Sequence, residues 1–219
     1  MKAFTRQLQA LPDQEELRRV CKAIATLDAI LEREWEHRYY SYNSIWDDHE
    51  EMASMRDGEG NFFFVLFGRE GVILKGYEKD SPLGEYYEER GNSWPGVLDE
   101  VPSTFSEFLS EPAFYVGQAT FCIWRENTDS TWQTGKISLP EDLDDPDGSE
   151  RLLRILDGVP RTFVDWAESY HEISLRSEEV ERIYRHEPLS EALLSSINPT
   201  RSVSELESDL REIGYPALD

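Results

Sequence analysis

Two stretches of this chain gather the side chains that metal and acid–base chemistry draw on. One runs from Glu141 to Glu150 and contains Asp142, Asp144, Asp145 and Asp147; the other is Asp47-Asp48-His49-Glu50-Glu51. A twelve-residue calcium loop needs carboxylates at its first and last places and a glycine at the sixth. With Gly148 at the sixth place, those positions fall on Leu143 and Arg154, so the register fails. Asp145-Pro146-Asp147-Gly148 instead predicts a turn, followed by a helix capped by Ser149 whose positive end favours nearby acids. His49-Glu50-Glu51-Met52-Ala53 has the first half of a zinc-protease helix, but Ala53 stands where the second His belongs. A solvated charged segment is the simpler expectation there.

Nucleophilic and phosphate chemistry have less to draw on. The chain contains no Gly-x-Ser-x-Gly elbow, and Gly58-Glu59-Gly60 and Gly68-Arg69-Glu70-Gly71 match neither phosphate-binding fingerprint. Cys21 and Cys122 form no Cys-x-x-Cys pair and have no His close in sequence, so both are expected to be buried, inert thiols. The adjacent carboxylates of Glu88-Glu89 and Glu178-Glu179 diverge on either a helix or a strand. The expected catalytic set is therefore empty, with no metal and no cofactor. If a ligand pocket exists, it is expected between the sheet, the first helix and residues 80–118, with His49, Glu50, Glu111 and Arg125 as its candidate polar groups.

The remaining chemical signal is charge: 45 Asp/Glu against 22 Lys/Arg give a formal net charge of −23 on 219 residues. Such a field repels nucleic acid, whose binding depends on basic side chains that release phosphate counterions, and it disfavours anionic membrane surfaces. It attracts basic proteins. Tyr86, Tyr87 and Trp94 lie among Glu85, Glu88, Glu89 and Arg90, where aromatic side chains would serve as interface anchors. Together with Asp142, Asp144 and Asp145 they form the candidate partner-binding set. The leading expectation is a non-enzymatic protein that sequesters a basic partner, as bacterial immunity proteins do with nuclease-type toxins. An enzyme or small-ligand binder, and a housekeeping interaction subunit, are the alternatives. The N-terminus lacks a signal-peptide core, and no apolar run approaches the ~20 residues that cross a bilayer, so a cytoplasmic setting is expected.

The elements that must position these groups follow from periodicity. Asp13 and Glu16 cap an apolar series at Leu17, Val20, Ile24, Leu27 and Leu31 that continues to Trp35. Tyr39–Trp46 suits a first strand, and Asp47–Arg56 a short helix or loop. Phe62–Phe67 and Val72–Tyr77 flank a glycine-bounded turn and predict a hairpin; Ala119–Arg125 and Thr131–Leu139 predict a second. Residues 80–118 carry so many Pro and Gly that only a short helix at Ser103–Leu109 is expected. Helices are predicted around Leu152–Leu156, Phe163–Tyr170, Glu178–His186, Ser190–Ile197 and Ser202–Ile213. The fold class is α+β: a single domain with an antiparallel sheet of about four to six strands, an N-terminal helix and C-terminal helices. Residues after about 175 are expected to form a helical cap or an attached tail.

Three stretches carry a resemblance: Gly71–Tyr77, Glu111–Phe114 running into Thr120–Arg125, and Asp147–Ser149 with Leu152-Leu153. They resemble a group of acidic bacterial cytoplasmic proteins without an assigned activity. The resemblance implies a bacterial origin and one compact domain, and it brings no functional residues.

Overall fold

The computed structural model describes residues 4–115 and 117–218. Six antiparallel strands pair in sequence order: β1 (Tyr40–Asp47), β2 (Glu50–Arg56), β3 (Phe62–Phe67), β4 (Gly71–Tyr77), β5 (Phe121–Glu126) and β6 (Gln133–Thr134). The helices are α1 (Gln14–Leu31), α2 (Pro82–Arg90), α3 (Ser106–Ser110), α4 (Ser149–Leu153), α5 (Pro160–His171), α6 (Ser177–Tyr184), α7 (Glu191–Ile197) and α8 (Val203–Ile213). The architecture is α+β, with an N-terminal helix and C-terminal helices about an antiparallel sheet.

Both faces of the sheet are covered, which is why β3 is apolar at every position rather than at alternate ones. Phe63, Val65 and Phe67 join Val72, Leu74, Phe121 and Ile123 against α1 and the helices of the C-terminal third. Phe62, Phe64 and Leu66 join Ile73, Tyr77 and Trp124 beneath Leu83, Val97, Phe105, Phe108 and Phe114 of the 80–118 connection. In residues 176–218, Val180, Ile183, Leu193, Leu194, Leu206 and Leu210 are buried in the same core as α1.

Several elements depart from expectation for identifiable reasons. The 47–56 segment is a tight turn and a strand, not a helix or loop. His49 adopts a left-handed φ of 64°, and β2 then pairs with strands on both sides, burying Met52, Ala53 and Met55. Helix α1 stops at Leu31 because Arg38 takes the next carbonyls, its guanidinium donating to Glu32 O (2.9 Å) and Arg33 O (3.1 Å). Trp35 is consequently exposed. Strand β6 keeps only two residues, since at Gly135 the chain turns against the Gly96 backbone. The helix cap near 149 comes from acids: Asp147 accepts from Ser149 N, and Asp145 from Glu150 N (3.0 Å) and Arg151 N (3.0 Å).

The connection also holds a helix, α2, that its breaker content concealed. Those breakers are its punctuation: Ser81 accepts from Gly84 N, Pro82 opens the first turn and Gly91 closes the helix with φ 71°. Gly84 lets this turn touch the preceding strand end, because a Cβ there would lie 2.1 Å from Glu78 O and 2.5 Å from Lys79 O. Both obstacles are backbone. Gly84→Ala is expected to cost about 2 kcal/mol in denaturant unfolding despite alanine's better helix propensity; unchanged or raised stability would contradict this contact.

Candidate functional site

The acids are unevenly distributed. Residues 78–150 hold seventeen Asp/Glu against four Lys/Arg, so a third of the chain carries more than half of the excess charge. This stretch forms the cover over one sheet face and continues past the β6 edge. Asp80, Glu85, Glu89, Asp99, Glu107, Glu141, Asp142 and Asp144 are exposed there. None of these eight has an ion-pair partner among the described residues. On the opposite, helical side many of the Lys and Arg are held in pairs such as Lys22–Glu51 (2.6 Å), Arg33–Glu205 (2.9 Å), Arg38–Asp209 (2.8 Å) and Arg182–Glu187 (2.7 Å), and the acidic excess there is smaller.

The candidate anchors lie on or beside α2. Tyr86 meets Trp94 edge-on at 4.8 Å, with the Arg90 guanidinium 5.6 Å from the Tyr86 ring centre. Tyr87 meets Tyr77 edge-on at 5.4 Å, and the Tyr77 hydroxyl donates to Glu88 (2.6 Å). All three aromatics are half-buried, and Glu85, Glu88 and Glu89 stand exposed around them. Asp142 and Asp144 are exposed beyond β6, whereas Asp145 is occupied at the start of α4. The α2 group is thus brought together, and no hydrogen bond or ion pair among the described residues links it to 142–145.

His49, Glu50, Glu111 and Arg125 are held apart. His49 is exposed in the β1–β2 turn, 3.3 Å from Asp48. Glu50 lies on the face under the connection, where partial burial, Asp47 and Glu107 raise its pKa. Glu111 accepts from Ala113 N (3.0 Å), and Arg125, paired with Val72 on the opposite face, donates to Asp129 O (3.2 Å). The space expected to form a pocket among sheet, α1 and connection is filled by the two apolar cores. Among the described residues, no three or more His, Cys, Asp or Glu side chains are grouped to hold a metal ion. Cys21 and Cys122 are buried and free, and burial pushes the Cys122 thiol up to about 12.

A cleft of about 510 Å³ opens elsewhere, between the first two strands and the α4–α5 segment. Its floor is the cross-strand pair Tyr40 and Met55, its walls are Tyr39 and Trp166, and Leu152 and Ile155 close one side. Trp166 packs edge-on against Tyr40 at 4.9 Å. Asp57, Glu59, Arg151, Arg154, Thr162 and Asp165 supply its polar rim. Periodicity could not locate this site, because it is assembled from segments about a hundred residues apart. The one sequence signal is Arg151 and Arg154, three residues apart next to the most acidic run.

No protein-family model, curated protein or solved structure matches this chain. Its functional reading therefore rests on its own residues. No helix of the described residues is long and apolar enough to cross a membrane.

Proposed function

We propose that the protein acts by binding, presenting the acidic cover of residues 78–150 to a basic protein partner. The observation that carries this reading is the uneven charge: residues 78–150 hold seventeen Asp/Glu against four Lys/Arg, and eight of their exposed carboxylates have no ion-pair partner among the described residues. Unpaired surface charge of one sign steers an oppositely charged partner, and half-buried aromatics beside it provide contact area that loses little entropy on docking. The Tyr86–Trp94 pair, flanked by Glu85 and Glu89, is the proposed anchor. Nucleic acid and anionic lipid surfaces are disfavoured by the same field. A cytoplasmic setting accords with two unpaired thiols.

The test has two stages. Proteins retained from native lysate by the wild-type chain are compared with those retained by a variant carrying Glu85→Lys, Glu89→Lys, Asp142→Lys and Asp144→Lys. A basic protein held by the wild type and lost by the variant is expected. Its association rate should then fall more than ten-fold between roughly 50 and 300 mM salt, as screening shortens the field's range. Equal retention by both chains, or a rate indifferent to salt, would refute the proposal.

A further inference from the structure

The cleft at the end of β1 and β2 has a hydrogen-bonding imbalance that runs against the charge of the whole molecule. Most of its acids are already engaged. Asp57 accepts from Glu59 N (2.8 Å), Asn61 N (3.0 Å) and Asn61 Nδ2 (2.6 Å), and Asp165 pairs with Arg161 (2.6 Å). Arg151 is tied to Glu78 (2.5 Å), and the Thr162 hydroxyl donates to Asp157 (2.6 Å). Against these, Arg154 is exposed with neither a hydrogen bond nor an ion pair among the described residues. Arg154 is therefore the unengaged cation beside an apolar floor, and Glu59 is the one acid of the rim without a side-chain bond among the described residues.

We propose that this cleft binds a small organic carboxylate with a flat or aliphatic apolar body. Its size lies within the ordinary range of small-molecule sites, which combine apolar walls with a few polar groups that fix orientation. Arg154 receives the carboxylate, as a guanidinium matches its two oxygens in a planar fork. The apolar body lies between Tyr39, Trp166, Met55 and Ile155. An ammonium ligand is disfavoured at the Arg154 end of the cleft, because the guanidinium would repel it, and Glu59 is the one unengaged acid of the rim that could receive it. None of the four residues changed to test the cover lines the cleft, so those changes leave it intact.

Indole-3-acetate, octanoate and indole-3-ethylamine serve as probes, followed by calorimetry and by the indole N–H resonance of Trp166. Saturable binding of at least one carboxylate is expected, with the amine at least ten-fold weaker and the Trp166 resonance shifted. Arg154→Gln, a change at an exposed side chain, is expected to weaken carboxylate binding roughly ten- to hundred-fold, the usual worth of a charge-assisted hydrogen bond. It should also erase the preference over the amine. The proposal is overturned if neither carboxylate binds below roughly millimolar concentration, if the amine binds equally well, or if Arg154→Gln changes nothing.

Discussion

Replacing Lys75 with methionine is expected to stabilise the fold by about 3 kcal/mol at neutral pH. Lys75 lies in the middle of β4, only 1% exposed, on the sheet face covered by the 80–118 connection. Its cross-strand partner is Cys122, and no carboxylate pairs with it among the described residues. The ammonium donates to Tyr115 O (3.1 Å) and stands 6.0 Å from the centre of the Phe108 ring, which leaves most of its hydration unreplaced. Burial accordingly lowers its pKa from 10.5 to about 8. The folded state thus gives up its proton before the unfolded chain does. The cost is fully present below pH 8 and is relieved as pH rises towards 10.5, so this group makes stability climb through that window. Methionine nearly matches the side chain in length and would pack against Phe108 and Cys122 without a charge. Denaturant unfolding of both chains from pH 7 to 10.5 should show the variant's advantage shrinking with pH. A variant no more stable than the wild type at pH 7, or an advantage constant across the range, would contradict this account.

Lys75 also illustrates what sequence patterning could and could not convey. Within Gly71–Tyr77 it is the one charged residue of an apolar run, and Tyr115 of the connection that buries it lies forty residues further along. Elements that announce themselves locally were legible. Asp13 caps α1 through Glu16 N (2.9 Å), Ser190 caps α7, and Ser202 with Glu205 forms a complete capping box on α8. The Phe62–Tyr77 hairpin pairs in the register its apolar runs imply. Strand β2 was hidden because its ends are charged and its buried stretch, Met52–Met55, faces two cores at once. Tyr39 and Tyr40 looked like ordinary strand aromatics. Their role in a cleft depends on Arg154 and Trp166, which only tertiary packing brings beside them. The acidic cover was visible as composition, but its separation from a helical side richer in ion pairs was not. That separation depends on which arginines meet a carboxylate in space.

Asp28→Asn is expected to remove a pH dependence worth about 4 kcal/mol between pH 4 and pH 8. Asp28 sits in α1 at 1% exposure, and one carboxylate oxygen accepts from Tyr40 N (2.7 Å), fastening the helix to the start of β1. The other oxygen lies 3.9 Å from His171 Nε2 at the end of α5, a nitrogen with no hydrogen-bond partner among the described residues. Burial pushes the Asp28 carboxyl up to about 7, against the backbone donors of Tyr40 and Tyr39 and the more distant Arg38 charge, with Glu32 adding to the rise. Burial also lowers the pKa of His171. An acid whose folded pKa exceeds its unfolded value of 3.8 holds its proton in the native state while the unfolded chain has lost it. Stability from this group is therefore greatest below pH 4 and declines as pH rises to about 7. Asparagine keeps the acceptor for Tyr40 N, and its amide can turn towards the unpartnered imidazole nitrogen, so the fold is retained without the titration. Unfolding free energies of the two chains should be similar near pH 4, and the variant should gain steadily up to pH 8. Parallel curves over that range would show that the Asp28 carboxyl titrates alike in the folded and unfolded chain, and would contradict this account.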